Sequence, residues 1–191
     1  MAFSMQDVLL EPYGGQVLAM NVSETTRLSA TLAGGALLGF AAASYVLSRG
    51  ADPFRMAIAG ALVGLIAFSA IICSPLLHST TVFSLGVLLV GVGGGLFGHG
   101  TLTATMNLAP KDKVGLSLGA WGAVQASAAG LAVALGAMLR DAGYHWLPDL
   151  GVAAAYHAVY ASEALLLLLA LAAMYPIVNH ADRTKTVPQA F

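Results

Sequence analysis

The sequence predicts an all-α fold, a polytopic bundle of membrane-spanning helices, and three observations carry that expectation. Of 191 residues, 58% are hydrophobic and only 9% charged, with a mean hydropathy of +0.81, whereas a soluble domain carries about a quarter charged residues. The apolar residues gather into runs near the length of about 20 residues that a helix needs to cross a bilayer. Between the runs lie short breaks that concentrate proline and charge, both hostile to a continuing lipid-exposed helix.

Taken in order, residues 1–13 read as the end of a helix too short to cross alone, and 14–27 as a loop. Five spans follow as a bundle over 28–177, at about 28–47, 56–73, 81–108, 114–139 and 152–177, and 178–191 read as a tail. Arg49 to Arg55 with Pro53 separates the first two spans, and Ser74 to Thr80 with Pro75 the next two. Pro110 to Lys113 and then Arg140 to Asp149 with Pro148 mark the remaining breaks. If the spans alternate, Arg49, Arg55, Lys111, Lys113, Arg183 and Lys185 share one side, leaving Arg27 and Arg140 opposite. The positive-inside rule then puts the tail in the cytoplasm, with Tyr144 and Trp146 at the other interface.

Composition also excludes classes. A formal net charge of −1 lacks the basic face of a nucleic-acid binder. The single cysteine, Cys73, has no internal partner and reads as a small core residue. Asp7 and Glu11 interrupt the place where the apolar core of a cleavable signal would sit. Gly93, Gly95 and Gly98 fit G-x-G-x-x-G, but inside an apolar span with no preceding strand the pattern does not mark a dinucleotide site. Asn21-Val-Ser23 matches a glycosylation acceptor and nothing else supports that use. With no paired metal-binding histidines and no nucleophile elbow, an enzyme is the weakest class.

Small-xxx-small spacings predict close helix contacts: Gly35/Gly39, Gly60/Gly64, Gly91/Gly95, Gly94/Gly98 and Gly115/Gly119. Leu165 to Leu169 is a bulky run that reads as a face for lipid or another membrane protein. Polar side chains at membrane depth cost roughly 2.5–3.5 kcal/mol when charged, so each of Asp7, Glu11, His99, Gln125, His157 and Glu163 is a candidate ligand or binding group. Asp7 and Glu11, at i and i+4, form either a paired carboxylate site or a solvated helix end closed by Pro12 and Gly14-Gly15. His99, beside Gly95, Gly98, Gly100 and Thr103, suits either a flat macrocycle whose metal it ligates or a bond to a neighbouring helix. His157 lies among Ala153, Ala154, Ala158 and Ala161; Gln125 and Glu163 read chiefly as groups that stitch helices. These groups leave three functions open: a proton-coupled transporter of a small or amphipathic molecule, a pigment carrier, and a membrane scaffold without ligand.

The strings MQDVLLEPYGG, TTRLSATLAGGALLGF, GVGGGLFGHGTLTATMNLAP and GLSLGAWGAVQASAAGLAVALGAMLRD, in order from Gln6 to about Asp141, resemble the PucC/LhaA family. That family is the bacteriochlorophyll-delivery branch of the major facilitator superfamily in phototrophic bacteria. The resemblance implies a light-harvesting antenna assembly factor that delivers or guards bacteriochlorophyll, or a precursor, while antenna polypeptides insert. It further implies the bacterial inner membrane, and contacts with antenna, reaction-centre or pigment-synthesis proteins. It covers only the C-terminal six-helix half of a twelve-helix fold, entered near the end of the seventh helix, so a fragment or truncated product is expected. Asp7, Glu11 and His99 fall within the matching strings, and an imidazole or carboxylate can ligate the pigment's magnesium; no other metal is implied.

Overall fold

A computed structural model describes residues 2–146 and 151–185, with backbone alone over 177–185. Among the described residues the regular structure is entirely helical. A short 3₁₀ helix, Met5–Val8, leads into α1 (Leu10–Val17), followed by α2 (Val22–Leu47), α3 (Pro53–Cys73), α4 (Thr80–Leu108), α5 (Val114–Trp146) and α6 (Val152–Lys185). Helices α2 to α6 are long and apolar enough to cross a membrane, α6 over Val152–Pro176.

The helix ends follow local chemistry. Asn21 and Glu24 form a reciprocal capping box, which satisfies two otherwise orphaned N–H groups and starts α2 at Val22 rather than 28. Asp52 caps α3 through Phe54 N–H and Arg55 N–H, and Pro53 occupies the first turn, where its missing N–H costs nothing. Ser79 caps α4 through Val82 N–H. Pro12 likewise sits in the first turn of α1, so it does not end that helix. Gly14 fits a tight place against Met20, Leu28 and Thr25, and α1 continues to Val17, inside the stretch expected as loop. Helix α5 carries Arg140 and Asp141 past 139 to Trp146; the expected break at 147–150, with Pro148 and Asp149, lies outside the described residues. Helix α6 extends through Lys185 into the expected tail, of which 186–191 also lie outside the described residues.

Helix α4 packs against α2 on one side and α3 on the other. A Cβ at Gly95 would stand 2.6 Å from Ala36 O and 3.1 Å from Gly39 Cα, and Gly39 and Gly35 meet Gly95 and Gly91 in turn. The matched order, 35 with 91 and 39 with 95, makes α2 and α4 parallel and joins them backbone to backbone. On the α3 side the order reverses: Gly60 faces Phe97 N and Gly93 O, while Gly100 faces Pro53 O and Ala57 N. Gly64 admits Phe3 and Leu167, and Gly94 borders Phe3. Without water to drive association, this close approach is the main source of packing energy. Gly98, Gly115 and Gly119 differ: nothing stands within 4 Å of where their Cβ atoms would be, so among the described residues they join no helices.

Two further expectations change. Leu165, Leu168 and Leu169 are exposed, but Leu167 is fully buried, because five consecutive residues sweep more than one helical turn. Cys73 is exposed rather than in the core, since it ends α3 on the side turned away from Ile71, which is buried. The core gathers instead on the first 13 residues, where Met5, Leu9, Leu10 and Tyr13 cluster with Phe68, Ile71, Phe83, Tyr156, Tyr160 and Leu167.

Candidate functional site

The N-terminal segment is threaded between α3, α5 and α6, and its backbone supplies the first half of a buried polar centre. Gly136 on α5 makes room for it: a Cβ there would stand 3.0 Å from both Met5 Cβ and Met5 O. Opposite, Glu163 projects from α6, nearly halfway along its apolar span, and is fully buried. Met5 N–H donates to Glu163 Oε1 at 2.9 Å and Gln6 N–H donates to the same oxygen at 3.3 Å. The side-chain amide of Gln6 donates to Phe3 O at 2.8 Å and reaches Asp7 Oδ1 at 3.4 Å. Glu163 Oε2, Gln6 Oε1 and the Tyr160 hydroxyl are buried with no hydrogen-bond partner.

Tyr13 is the second hub. Its hydroxyl donates to Ile71 O at 3.3 Å, a carbonyl at the end of α3 that also accepts from Ser74 N–H and the Ser74 hydroxyl, and lies 3.3 Å from His157 Nε2. Its ring meets Tyr156 and Tyr160 edge-on, with centroids 5.3 and 5.4 Å away, a favoured aromatic geometry. Tyr156 in turn donates to Gln16 Oε1 at 2.8 Å, and the Arg140 guanidinium lies 5.9 Å from its ring centre. A tyrosine-rich polar column thus runs along α6 from Tyr156 to Glu163.

The six candidate side chains separate. Glu163 and His157 belong to this column. Asp7 and Glu11 are both exposed, and each has its own neighbour, Gln6 for Asp7 and the Ser29 hydroxyl for Glu11, at 2.7 Å. The backbone changes from 3₁₀ to α at Leu9, between them. Asp7 borders a cleft of about 180 Å³ with Phe3, Gln6, Ala36 and Gly94. Gln125 is exposed and borders a smaller one, about 60 Å³, with Phe3, Phe97 and Gly98. His99 stands apart, half-buried, its ring 6.1 Å from Phe40. Of the glycines around it, Gly95 is filled by α2 and Gly100 by α3, leaving only Gly98 open. A macrocycle at His99 therefore has one open glycine beside it rather than a continuous glycine wall. No group of three or more His, Cys, Asp or Glu able to hold a metal ion occurs among the described residues.

Gln6, Tyr13, Tyr156 and Tyr160 were not singled out from the sequence. Their signal was present: Tyr156, Tyr160 and Glu163 fall at i, i+4 and i+7, one helix face, in a span rich in alanine and leucine.

Comparison with known proteins places this chain among relatives. The family model described as PUCC protein matches residues 1–181. Protein PucC of Cereibacter sphaeroides is 56% identical over 184 residues, 95% of this chain and 40% of its own length. Protein PucC of Rhodovulum sulfidophilum is 61% identical over 142 residues, 74% of this chain and 31% of its own. The Bacteriochlorophyll synthase 44.5 kDa chain of Rhodobacter capsulatus is 32% identical over 174 residues, 88% of this chain and 40% of its own. The chain thus spans about two fifths of the length of the curated relatives it matches. No solved structure matches.

Proposed function

Because the chain belongs to the PUCC protein family, we propose that it serves biogenesis of the photosynthetic membrane, handling bacteriochlorophyll or a precursor while light-harvesting antenna polypeptides insert. The observation that carries this reading is the family match over residues 1–181. A relative named as a bacteriochlorophyll synthase chain, 32% identical, supports the pigment class. The fold fits a carrier or chaperone: helices with clefts between them and large apolar side chains left outward, among them Leu165, Leu168 and Leu169, which suit antenna polypeptides, reaction-centre proteins or lipid.

The proposed setting is the inner membrane of a phototrophic bacterium, in one half of a major-facilitator-type fold, with the C-terminus cytoplasmic by the positive-inside rule. His99 is the first proposed pigment ligand; its half-buried imidazole beside Gly98 offers a nitrogen that would coordinate magnesium. Gln125, near the same Gly98, and His157 and Asp7 are the next candidates, with Glu11 after them. The test is near-infrared absorption of the protein purified from phototrophic membranes. Pigment should co-purify with the wild type and fall severalfold in His99→Phe. Equal pigment in both would remove His99, and none in either would refute the pigment reading.

A further inference from the structure

We infer that Glu163 holds one exchangeable proton at the mid-depth of the helix bundle, a role distinct from pigment handling and independent of it. The hydrogen inventory of the site carries the inference. Glu163 Oε1 is already engaged by the N–H groups of Met5 and Gln6. The Gln6 amide is fixed, because Phe3 O at 2.8 Å demands its NH₂ side, so Gln6 Oε1 faces inward as an acceptor. Glu163 Oε2 and Gln6 Oε1 remain as buried acceptors that no donor serves, and the Tyr160 hydroxyl, one turn before Glu163 on the same helix face, bonds to neither. With Glu163 ionised, Oε2 is a charged acceptor buried without a donor, a strongly unfavourable arrangement. A proton on Glu163 Oε2 removes that charge.

Charge points the same way. Glu163 has no ion-pair contact among the described residues; Arg140 pairs with Asp141 elsewhere. Among the described residues no Lys or Arg pairs with it. The buried cluster around it holds Ala67 and Phe68 of α3, Ala132 of α5 and Tyr13 of α1, and the 3₁₀ helix adds a second carboxylate, Asp7. An ionised carboxylate held away from water without a counter-charge is strongly disfavoured. A lone carboxylate with neutral oxygen neighbours is also too few ligands for a metal ion. Since Oε1 clasps the backbone of Met5 and Gln6, proton loading and the docking of the N-terminal segment share one side chain.

The test is infrared spectroscopy of membranes containing the full chain, in H₂O and D₂O, for wild type, Glu163→Gln, Tyr160→Phe and Asp7→Asn. The wild type should show a protonated-carboxyl carbonyl band that shifts in D₂O. The band should vanish in Glu163→Gln, which keeps an oxygen for the two backbone N–H groups, and persist in Asp7→Asn. In Tyr160→Phe it should persist, because the Tyr160 hydroxyl makes no hydrogen bond to Glu163. Absence of the band in wild type would mean that a water serves an ionised Glu163, and would overturn the inference. So would a band that survives Glu163→Gln, fails to exchange in D₂O, or is lost in Tyr160→Phe.

Discussion

Gly95→Ala and Gly115→Ala make the same chemical change in two places that the fold treats oppositely. At Gly95 the new methyl would lie 2.6 Å from Ala36 O and 3.0 Å from Phe40 N. Ordinary contact begins at 3.4 Å, so α2 and α4 must part by about 0.8 Å along a seam that is backbone on both sides. A side chain could swing away; a helix backbone cannot. Overpacking of this kind costs about 1–3 kcal/mol, while both variants share the gain of roughly 0.5–1 kcal/mol from replacing a helical glycine. Gly115→Ala, with nothing within 4 Å, should therefore be neutral or stabilising, and the difference between the variants isolates the packing term. Reversible unfolding in mixed micelles, titrated with a denaturing detergent, measures both. Adding Gly39→Ala to Gly95→Ala should cost less than the two separately, because helices already parted accommodate a second methyl. Equal stability of the two single variants would refute the parallel glycine seam.

Three further outcomes follow from the site and the helix ends. Glu163→Leu removes the acceptor of Met5 and Gln6 N–H and should cost about 1–3 kcal/mol, with faster proteolysis of residues 2–9 in the same detergent. Tyr13→Phe keeps the ring contacts and loses the hydroxyl that meets Ile71 O and His157; a loss of about 0.5–1.5 kcal/mol in unfolding free energy is expected. Cys73 should react with a membrane-permeant maleimide in native membranes, being exposed, whereas a cysteine introduced at fully buried Ala61 should react far more slowly.

Span number and the all-α class were legible because apolar run length is a property of contiguous residues. Helix starts were less so: Asn21 and Glu24 carry a capping box that the hydropathy count passed over, which is why α2 begins six residues before the first expected span. The glycine seams were half legible. Spacing marks a face that can pack, but Gly91/Gly95 and Gly115/Gly119 look alike in sequence and only the partner helix separates them. The polar centre was the least legible part. Its acceptors and donors come from residues 3–6 and 160–163, and no local pattern announces that Glu163 will meet backbone N–H groups at the other end of the chain. His99 drew attention because glycines surround it; most of those glycines serve α2 and α3.

The clasp between Met5 and Glu163 spans 158 residues, and that separation sets a clock. At synthesis rates of about 5–20 residues per second, Glu163 leaves the ribosome roughly 8–32 s after Met5. Helices α2, α3 and α4, consecutive in the chain and joined by their own glycine seams, can assemble during that interval. The segment around Met5 has neither Gly136 nor Glu163 to receive it until the end, so it must wait, with its two N–H groups unclaimed. A membrane insertion factor or a lipid headgroup that holds this segment meanwhile would govern the yield of folded protein, and slowing translation between residues 108 and 163 should make the chain more dependent on it.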